Sequence, residues 1–381
     1  RSGYNHIYHY DYDGEMIGQV TSGKWDVVKV DAVNYDDEKL YYTSTEVSPL
    51  ERHLYEIRFD GSDKRKLTEE PGRHNIDMAP GGKYYIDRFS NVNIPKQVEL
   101  RSSKDGLIEK LEDNAQVETY IADHVYAPRE LFSFQTSYGH KLDGYVVKPV
   151  DFDSTKIYPL MLNIYGGPGA QSVYNSFESS AWVQYLAQEG YFIVSVNNRG
   201  SGGYGREFKK MVYQQLGKFE AEDFVETARY FGKKSYVDST RMAIRGHSYG
   251  GYMTTYTLLN YPEVFEVGIA GAPLTDWRLY DTIYAERYMG LLSENAEGYK
   301  QSASSTHAAN LEAELLIAHS LMDENVHVQN TMQLVRALTD HGKDADLRIY
   351  PPGDHGVAYN RQSYILLYET YTEYLNRYLK P

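Results

Sequence analysis

Two stretches near the amino terminus repeat one another: HIYHYDYDGEMIGQVT from His6 and HLYEIRFDGSDKRKLT from His53 align without a gap at a spacing of 47 residues. The alignment matches Tyr8 to Tyr55, Gly14 to Gly61 and Thr21 to Thr68. A fainter third copy, VELRSSKDGLIEKL, places Asp105-Gly106 about one repeat later. Apolar residues alternating around an Asp-Gly turn are hairpin chemistry. Further strand-like stretches intervene, KLYYTST at 39–45 and KYYIDRFS at 83–90. Hairpin pairs recurring near 45 residues read as β-propeller blades, each a four-stranded sheet. Two to three blades cannot close a ring, which takes about four to eight, and an open ring leaves a raw sheet edge. The expectation is therefore that residues 1–125 form the last two to three blades of a partial propeller. The missing blades would precede Arg1 in the parent chain or come from another chain. A small open β-domain with a coincidental repeat is the alternative.

From about residue 126 the pattern changes. LDGYVVKP (142–149) reads as a strand, and YPLMLNIY (158–165) and YFIVSVN (191–197) are continuous apolar strands. Continuous apolar strands belong to a sheet covered on both faces. FEAEDFVETARYFGK (219–233) has the period of an amphipathic helix. RMAIRG, VGIAG, ELLIAHS and ADLRIYP follow as strands, with helical stretches between them that include VQNTMQLVRALTDH (328–341). QSYILLYETYTEYLNRYL (362–379) ends the pattern as a tyrosine-rich helix. This βα alternation predicts an α/β domain over 126–381, a mostly parallel sheet with helices on both faces.

Composition excludes several functions. The net charge is −14, which disfavours a nucleic-acid partner. There is no cysteine, so disulfides, thiolate nucleophiles and Cys-ligated zinc are excluded. No apolar run approaches the roughly 18 residues that span a bilayer. The histidines are scattered and no H-E-x-x-H occurs, and the glycines around 200–205 fit neither dinucleotide nor P-loop spacing. No metal or other cofactor is expected.

Gly246-His247-Ser248-Tyr249-Gly250 fits G-x-S-x-G. It follows the strand RMAIR and precedes a helix expected to begin near Tyr252, the strand–turn–helix setting of a nucleophile elbow. Such a turn forces the serine into a strained conformation, and glycines two before and two after remove side chains that would collide. Ser248 is thus the expected nucleophile of an α/β-hydrolase. A serine hydroxyl needs a base to take its proton, and this fold supplies an acid and then a histidine, in that chain order. ELLIAHS is followed by Leu321-Met322-Asp323, and LRIYP leads into Pro352-Gly353-Asp354-His355-Gly356. Asp323 and His355 therefore lie on loops after successive strands. Glu324 is the alternative acid, and Asp354 adjoins the histidine and would face elsewhere. His319 and His327 compete as bases, with His319 better read as a structural hydrogen-bonder at a strand end. The second oxyanion donor of the fold is the N–H after the nucleophile, that of Tyr249.

With these residues in view, the chain resembles the dipeptidyl peptidase IV branch of the prolyl oligopeptidase family. The resemblance rests on seven segments in order: NIYGGPGAQ (163–171), NNRGSGGYG (197–205), LGKFEAEDF (216–224), GHSYGGY (246–252), APLTDWRLYDTIYAERYMG (272–290), DENVH (323–327) and GDHG (353–356). It implies that the Tyr165 hydroxyl donates to the oxyanion. It implies a pocket for proline at the residue before the cut, walled by Tyr249, Leu274, Trp277, Tyr280, Tyr284 and Val326. It further implies that Asn325 binds the carbonyl of the residue preceding that proline. The residues alone make such a pocket chemically sensible, since a flat aromatic box suits a compact ring with no N–H. Trp277, Tyr280, Tyr284 and Tyr288 are spaced to share one helical face, although such a stripe by itself reads as core. Arg199 and Glu222 lie in matched segments and are read as structural.

The resemblance implies an exopeptidase that releases dipeptides after a penultimate proline or alanine through an acyl-enzyme on Ser248. Its substrates would be peptides of that type. It also implies a possible homodimer and an extracytoplasmic location. Two departures stand out. His247 occupies the place where this branch usually carries tryptophan, and its side chain is expected to point away from substrate and to alter packing rather than chemistry. The residues with which the branch grips a free amino terminus are absent from this chain, so a prolyl tripeptidyl peptidase or an acylaminoacyl peptidase or esterase remains the alternative. A binding scaffold with a dead hydrolase domain is less favoured, because the serine, acid and histidine are all present.

Overall fold

The three Asp-Gly turns anticipated from the repeat each close a hairpin. The computed structural model describes residues 2–380; Arg1 and Pro381, the outer limits of the two expected domains, lie outside the described residues. β1 (Tyr8–Tyr10) pairs antiparallel with β2 (Met16–Gln19) around Asp13-Gly14. The next sheet is a four-stranded meander, β3 (Val27–Asn34), β4 (Lys39–Ser44), β5 (His53–Arg58) and β6 (Arg65–Lys66). A second meander follows, β7 (Arg73–Met78), β8 (Tyr84–Asn91), β9 (Ile94–Ser102) and β10 (Gly106–Glu112). The propeller part thus consists of two complete four-stranded sheets and one hairpin.

The first meander is apolar on both faces, which is why KLYYTS is a continuous rather than alternating run. Leu40, Tyr42, Tyr55 and Ile57 join Val20, Trp25 and Val27 in one core cluster. Tyr41 and Leu54 point the other way, into a cluster with Leu67, Ile76 and Tyr85. Tyr42 and Tyr55 are cross-strand partners with stacked rings 5.5 Å apart. Such aromatic pairs contribute about 0.5–1.5 kcal/mol beyond their buried area.

α1 (Ala115–Asp123), which the sequence pattern did not signal, buries none of its residues completely. The expected division at 125/126 falls just after it. The chain separates into two units, one of Arg1–Leu131 with Val173–Ser180 and Gly202–Lys209, the other of Phe132–Ser172, Ala181–Ser201 and Lys210–Pro381.

The α/β-hydrolase sheet has eight strands. They are β11 (Arg129–Gln135), β12 (Lys141–Val147), β13 (Tyr158–Ile164), β14 (Phe192–Val196), β15 (Val237–His247), β16 (Val267–Gly271), β17 (Glu314–Ser320) and β18 (Asp346–Tyr350). Their order is β11-β12-β14-β13-β15-β16-β17-β18. β12 is antiparallel to β14, and every pairing from β14 to β18 is parallel. The helices are α2 (Ala181–Gln188), α3 (Gly205–Lys210), α4 (Lys218–Gly232), α5 (Tyr249–Asn260), α6 (Thr282–Met289), α7 (Ala296–Ser302), α8 (Gln329–Asp340) and α9 (Arg361–Leu379). α4 and α5 pack on β15 and on each other, and α9 packs across β15, β16 and β17. β14 and β16 are buried at every residue. No described helix is long and apolar enough to cross a membrane.

The parallel register brings the carboxyl ends of five strands level. Ile164 lies opposite Gly246, His247 opposite Gly271, Gly271 opposite Ala318, and Ser320 opposite Tyr350. Residues a few places beyond those ends therefore emerge on the same edge, where open α/β sheets place their ligands.

Candidate active site

Ser248 sits between the end of β15 and the first residue of α5, at φ 60° and ψ −118°. A positive φ is strained for a residue with a Cβ, and such strain gathers at functional sites. The flanking glycines make the turn possible. A Cβ on Gly246 would come within 2.3 Å of the Gly250 main chain, and one on Gly250 within 2.5 Å of the Ile164 carbonyl oxygen. The Ser248 N–H donates to the Gly271 carbonyl at 2.8 Å, tying the elbow to the neighbouring strand. α5 begins at Tyr249, three residues earlier than its periodicity suggests, because the turn is completed within Ser248 itself.

His355 Nε2 lies 2.8 Å from Ser248 Oγ, and His355 Nδ1 lies 2.8 Å from Asp323 Oδ2. Asp323 is buried, whereas Glu324 beside it is exposed. Asp323 Oδ1 accepts the N–H groups of Asn325 at 3.0 Å and Val326 at 2.8 Å. Burial pushes the Asp323 carboxyl up, but hydrogen bonds from His319, His355 and the Val326 N–H outweigh it and hold the group well below the usual carboxylate range. An ionised Asp323 accepts only, so Nδ1 of His355 carries the proton and Nε2 offers its lone pair to the Ser248 hydroxyl.

The competing residues lie elsewhere or play other parts. His319 is fully buried, with Nδ1 2.7 Å from the Thr331 hydroxyl and Nε2 2.8 Å from the Val326 carbonyl and 3.2 Å from Asp323. His327 and Asp354 are exposed. Arg199 clamps the loop after β14 to α4: its Nε donates to Asp223 at 2.8 Å and its Nη2 to Glu222 at 2.9 Å.

Tyr165, Tyr249, Leu274, Trp277, Tyr280, Tyr284 and Val326 line one pocket with Ser248, enclosing about 280 Å³ of space partly open to solvent. The Trp277 and Tyr284 rings stack at 5.7 Å, and Tyr280 meets both edge-on. The aromatic stripe is not a single helix, contrary to its spacing. Trp277 belongs to a short 3-10 turn, Trp277–Leu279, capped by the Asp276 side chain, and Tyr280 is extended at φ −119° and ψ 168° before α6 begins. Asp276 offers the backbone a local hydrogen bond in place of a helical one, and this interrupts the regular period. The break turns Trp277 face-on to Tyr284.

Asn325 is exposed at the pocket's edge, and its Oδ1 accepts the Tyr280 hydroxyl at 2.7 Å. That leaves its NH2 group as donor. The Tyr165 hydroxyl has no hydrogen-bond partner among the described residues; burial, and then Tyr288, raise its pKa. The Tyr249 N–H belongs to the first turn of α5, where main-chain donors have no helical acceptor. Among the described residues, no group of three or more His, Asp or Glu could hold a metal ion.

Two contributors were not singled out from the sequence, and a third was noted only as a departure from the family pattern. Asn198 Nδ2 donates to the Gly166 carbonyl at 3.3 Å and steadies the loop that carries Tyr165. Glu220 is fully buried and accepts the Tyr249 hydroxyl at 2.7 Å and the Gly217 N–H at 3.1 Å. Burial pushes its carboxyl up to about 7 despite those bonds. Its signal was present in the sequence: Glu220 shares the helical face of Phe224, Ala228 and Phe231, where a carboxylate needs a partner. The third is His247, whose ring lies 5.1 Å from that of His355 instead of merely filling space away from the site.

Comparison with known proteins agrees with this architecture. The family model described as "Prolyl oligopeptidase family" matches residues 176–381, and that described as "Dipeptidyl peptidase IV (DPP IV) N-terminal region" matches residues 1–96. A probable dipeptidyl-aminopeptidase B of Arthroderma gypseum is 36% identical over 98% of this chain and 41% of its own length. One from Neosartorya fischeri is 35% identical over 98% of this chain and 42% of its own length. The crystal structure of Porphyromonas gingivalis dipeptidyl peptidase 4 superimposes with a TM-score of 0.95 at 37% identity, covering 99% of this chain and 53% of that one. A putative dipeptidyl aminopeptidase IV from Bacteroides ovatus gives a TM-score of 0.90 at 29% identity, covering 100% and 56%. The chain thus spans about two-fifths of the length of the curated relatives it matches.

Proposed function

The chain belongs to the prolyl oligopeptidase family, and from that premise we propose that it carries the catalytic centre of a serine dipeptidyl peptidase that cuts after a penultimate proline or alanine. The observation that carries the reading is the continuous hydrogen-bonded line from Asp323 through His355 to Ser248, with 2.8 Å at each step.

In the proposed mechanism Ser248 Oγ attacks the scissile carbonyl while His355 Nε2 takes its proton. The carbonyl oxygen becomes an oxyanion held by the Tyr165 hydroxyl and the Tyr249 N–H. His355 then gives the proton to the departing amine, and the C–N bond breaks to leave an ester on Ser248. A water molecule, deprotonated by His355, attacks that ester, and the proton returns to Ser248 Oγ as the acid leaves. Asp323 holds the imidazole tautomer and stabilises the cation formed in each half-reaction. The box of Trp277, Tyr280, Tyr284, Tyr249, Leu274 and Val326 would take the proline ring, and the Asn325 NH2 would donate to the preceding carbonyl. Two products of this geometry are a small apolar residue before the cut and a peptide carbonyl aligned for attack. Pairing of two such domains and an extracytoplasmic location are proposed on the resemblance.

A fluorophosphonate probe tests the centre without any need for substrate anchoring: the chain should be labelled, and Ser248→Ala should abolish labelling. The parent-length protein should turn over Gly-Pro- and Ala-Pro-anilides, and Ser248→Ala should abolish that turnover. Mass spectrometry of a peptide ladder should show loss of two residues at a time. Labelling that survives Ser248→Ala, or loss of three residues at a time, would overturn the corresponding part of the reading.

A further inference from the structure

The Asp323 carboxylate is filled to capacity. An ionised carboxyl offers about four lone-pair sites, and four N–H groups face this one. Oδ1 takes the main-chain N–H of Asn325 at 3.0 Å and that of Val326 at 2.8 Å. Oδ2 takes Nδ1–H of His355 at 2.8 Å and Nε2–H of His319 at 3.2 Å. Two of these donors lie in the acid's own loop, and a third is the base that the acid serves. Of the four, only His319 reaches the carboxylate from the sheet: it belongs to β17 and pairs with Ile349 of β18.

The surroundings of His319 fix its proton. Nε2 also lies 2.8 Å from the Val326 carbonyl. That carbonyl and the ionised Asp323 only accept, so Nε2 carries a proton and shares it between them. Nδ1 lies 2.7 Å from the Thr331 hydroxyl on α8, which donates to it. The ring is fully buried, so it joins β17, α8 and the loop after β17 out of reach of water.

We propose that His319 is a positioning residue for the acid and for the substrate contacts beside it: its Nε2–H aims the Asp323 carboxylate at His355 and fixes the Val326 carbonyl, on the segment that also carries Asn325. The inference rests on the hydrolase reading of the Ser248 centre. Other bonds hold this loop as well. The Tyr280 hydroxyl donates to Asn325 Oδ1 at 2.7 Å, and the Asn330 N–H donates to the His327 carbonyl at 2.9 Å. Neither touches the carboxylate. Without His319, Oδ2 would keep His355 as its one donor among these four, and a buried lone pair would lose its partner. The electrostatics agree with the geometry. Burial pushes the Asp323 carboxyl up, and the His319 bond is the largest of the opposing contributions that keep it ionised.

The test compares His319→Phe and His319→Leu, which remove the donor, with His319→Gln, whose NH2 can stand in for Nε2–H. Fluorophosphonate labelling at pH 7.5 should slow roughly tenfold in the Phe and Leu variants, less than the 10²-fold that a full 1 Å displacement can cost, and recover in the Gln variant. Labelling of the Phe and Leu variants at the parent rate, or a Gln variant as slow as they are, would overturn the proposal. The parent chain gives a second reading that needs neither a variant nor turnover. Nitrogen-15 spectra of the His319 ring should place the proton on Nε2 and leave Nδ1 bare, and a proton on Nδ1 would refute the role. An unlabelled parent chain would count against the hydrolase assignment instead, so the two failures are distinguishable.

Discussion

Replacing Asp323 by asparagine should cost far more activity than its near-identical shape suggests, and the structure gives the reason. Oδ1 of Asp323 accepts two main-chain N–H groups, from Asn325 and Val326. An asparagine must turn its one oxygen toward those two donors, because an NH2 group there would face them. The NH2 then replaces Oδ2 and points at Nδ1 of His355, now 2.8 Å from that position. Nδ1 becomes an acceptor, the imidazole proton moves to Nε2, and Nε2 loses the lone pair that should receive the Ser248 proton. The same change in a serine protease triad lowers kcat about 10⁴-fold, equivalent to roughly 5 kcal/mol of transition-state stabilisation. The new NH2 also faces His319 Nε2, 3.2 Å from Oδ2 in the parent, so stability should fall by about 1–3 kcal/mol. Anilide turnover and fluorophosphonate labelling at pH 7.5, alongside a denaturation curve, measure both effects. A folded Asp323→Asn protein within tenfold of the parent rate would refute the assigned tautomer and with it the role of Asp323.

Tyr165→Phe should lower kcat by roughly 10²-fold with little change in KM, since it removes one donor that acts on the oxyanion and leaves the pocket walls in place; steady-state kinetics showing a rise in KM alone would contradict this. Glu220 prints a pH signature on stability. Its pKa is raised from 4.5 to about 7 by burial, so the folded state retains a proton that the unfolded chain has lost, and stability is greatest below 4.5 and is lost as the pH rises to 7. The decline should approach about 3 kcal/mol, with buried Asp223, raised to about 6 by burial, adding in the same direction. Glu220→Gln should flatten most of that slope in urea melts at pH 5 and pH 8, and an unchanged slope would show that Glu220 is ionised in the folded chain.

Legibility followed the range of the interaction. Hairpins turned by Asp-Gly pairs, the uninterrupted strands of a two-sided sheet and the glycine-flanked elbow are consequences of φ, ψ and side-chain period within about ten residues, and each is visible in the chain. The break at Tyr280 was not, because it arises from one local hydrogen bond by Asp276 that competes with an intact aromatic period. Nor was the use of Glu220, although two carboxylates on the buried face of α4 marked the place. His247 could be read as a substitution in a motif, but its contact with a residue 108 positions away could not.

Sequence alone determined the strands flanking the site, their order and the chemistry available at their ends, because turn geometry and burial pattern are local properties; α1 and the break at Tyr280 escaped it. Whether Asp323 or its neighbour Glu324 would meet the histidine, which aromatic faces would line a pocket, and what would stand behind Tyr249 and His355 were decided only by the fold. Parallel register sets those distances: it brings Ser248 and His355, 107 residues apart, to hydrogen-bonding range, and no residue near either one specifies that approach.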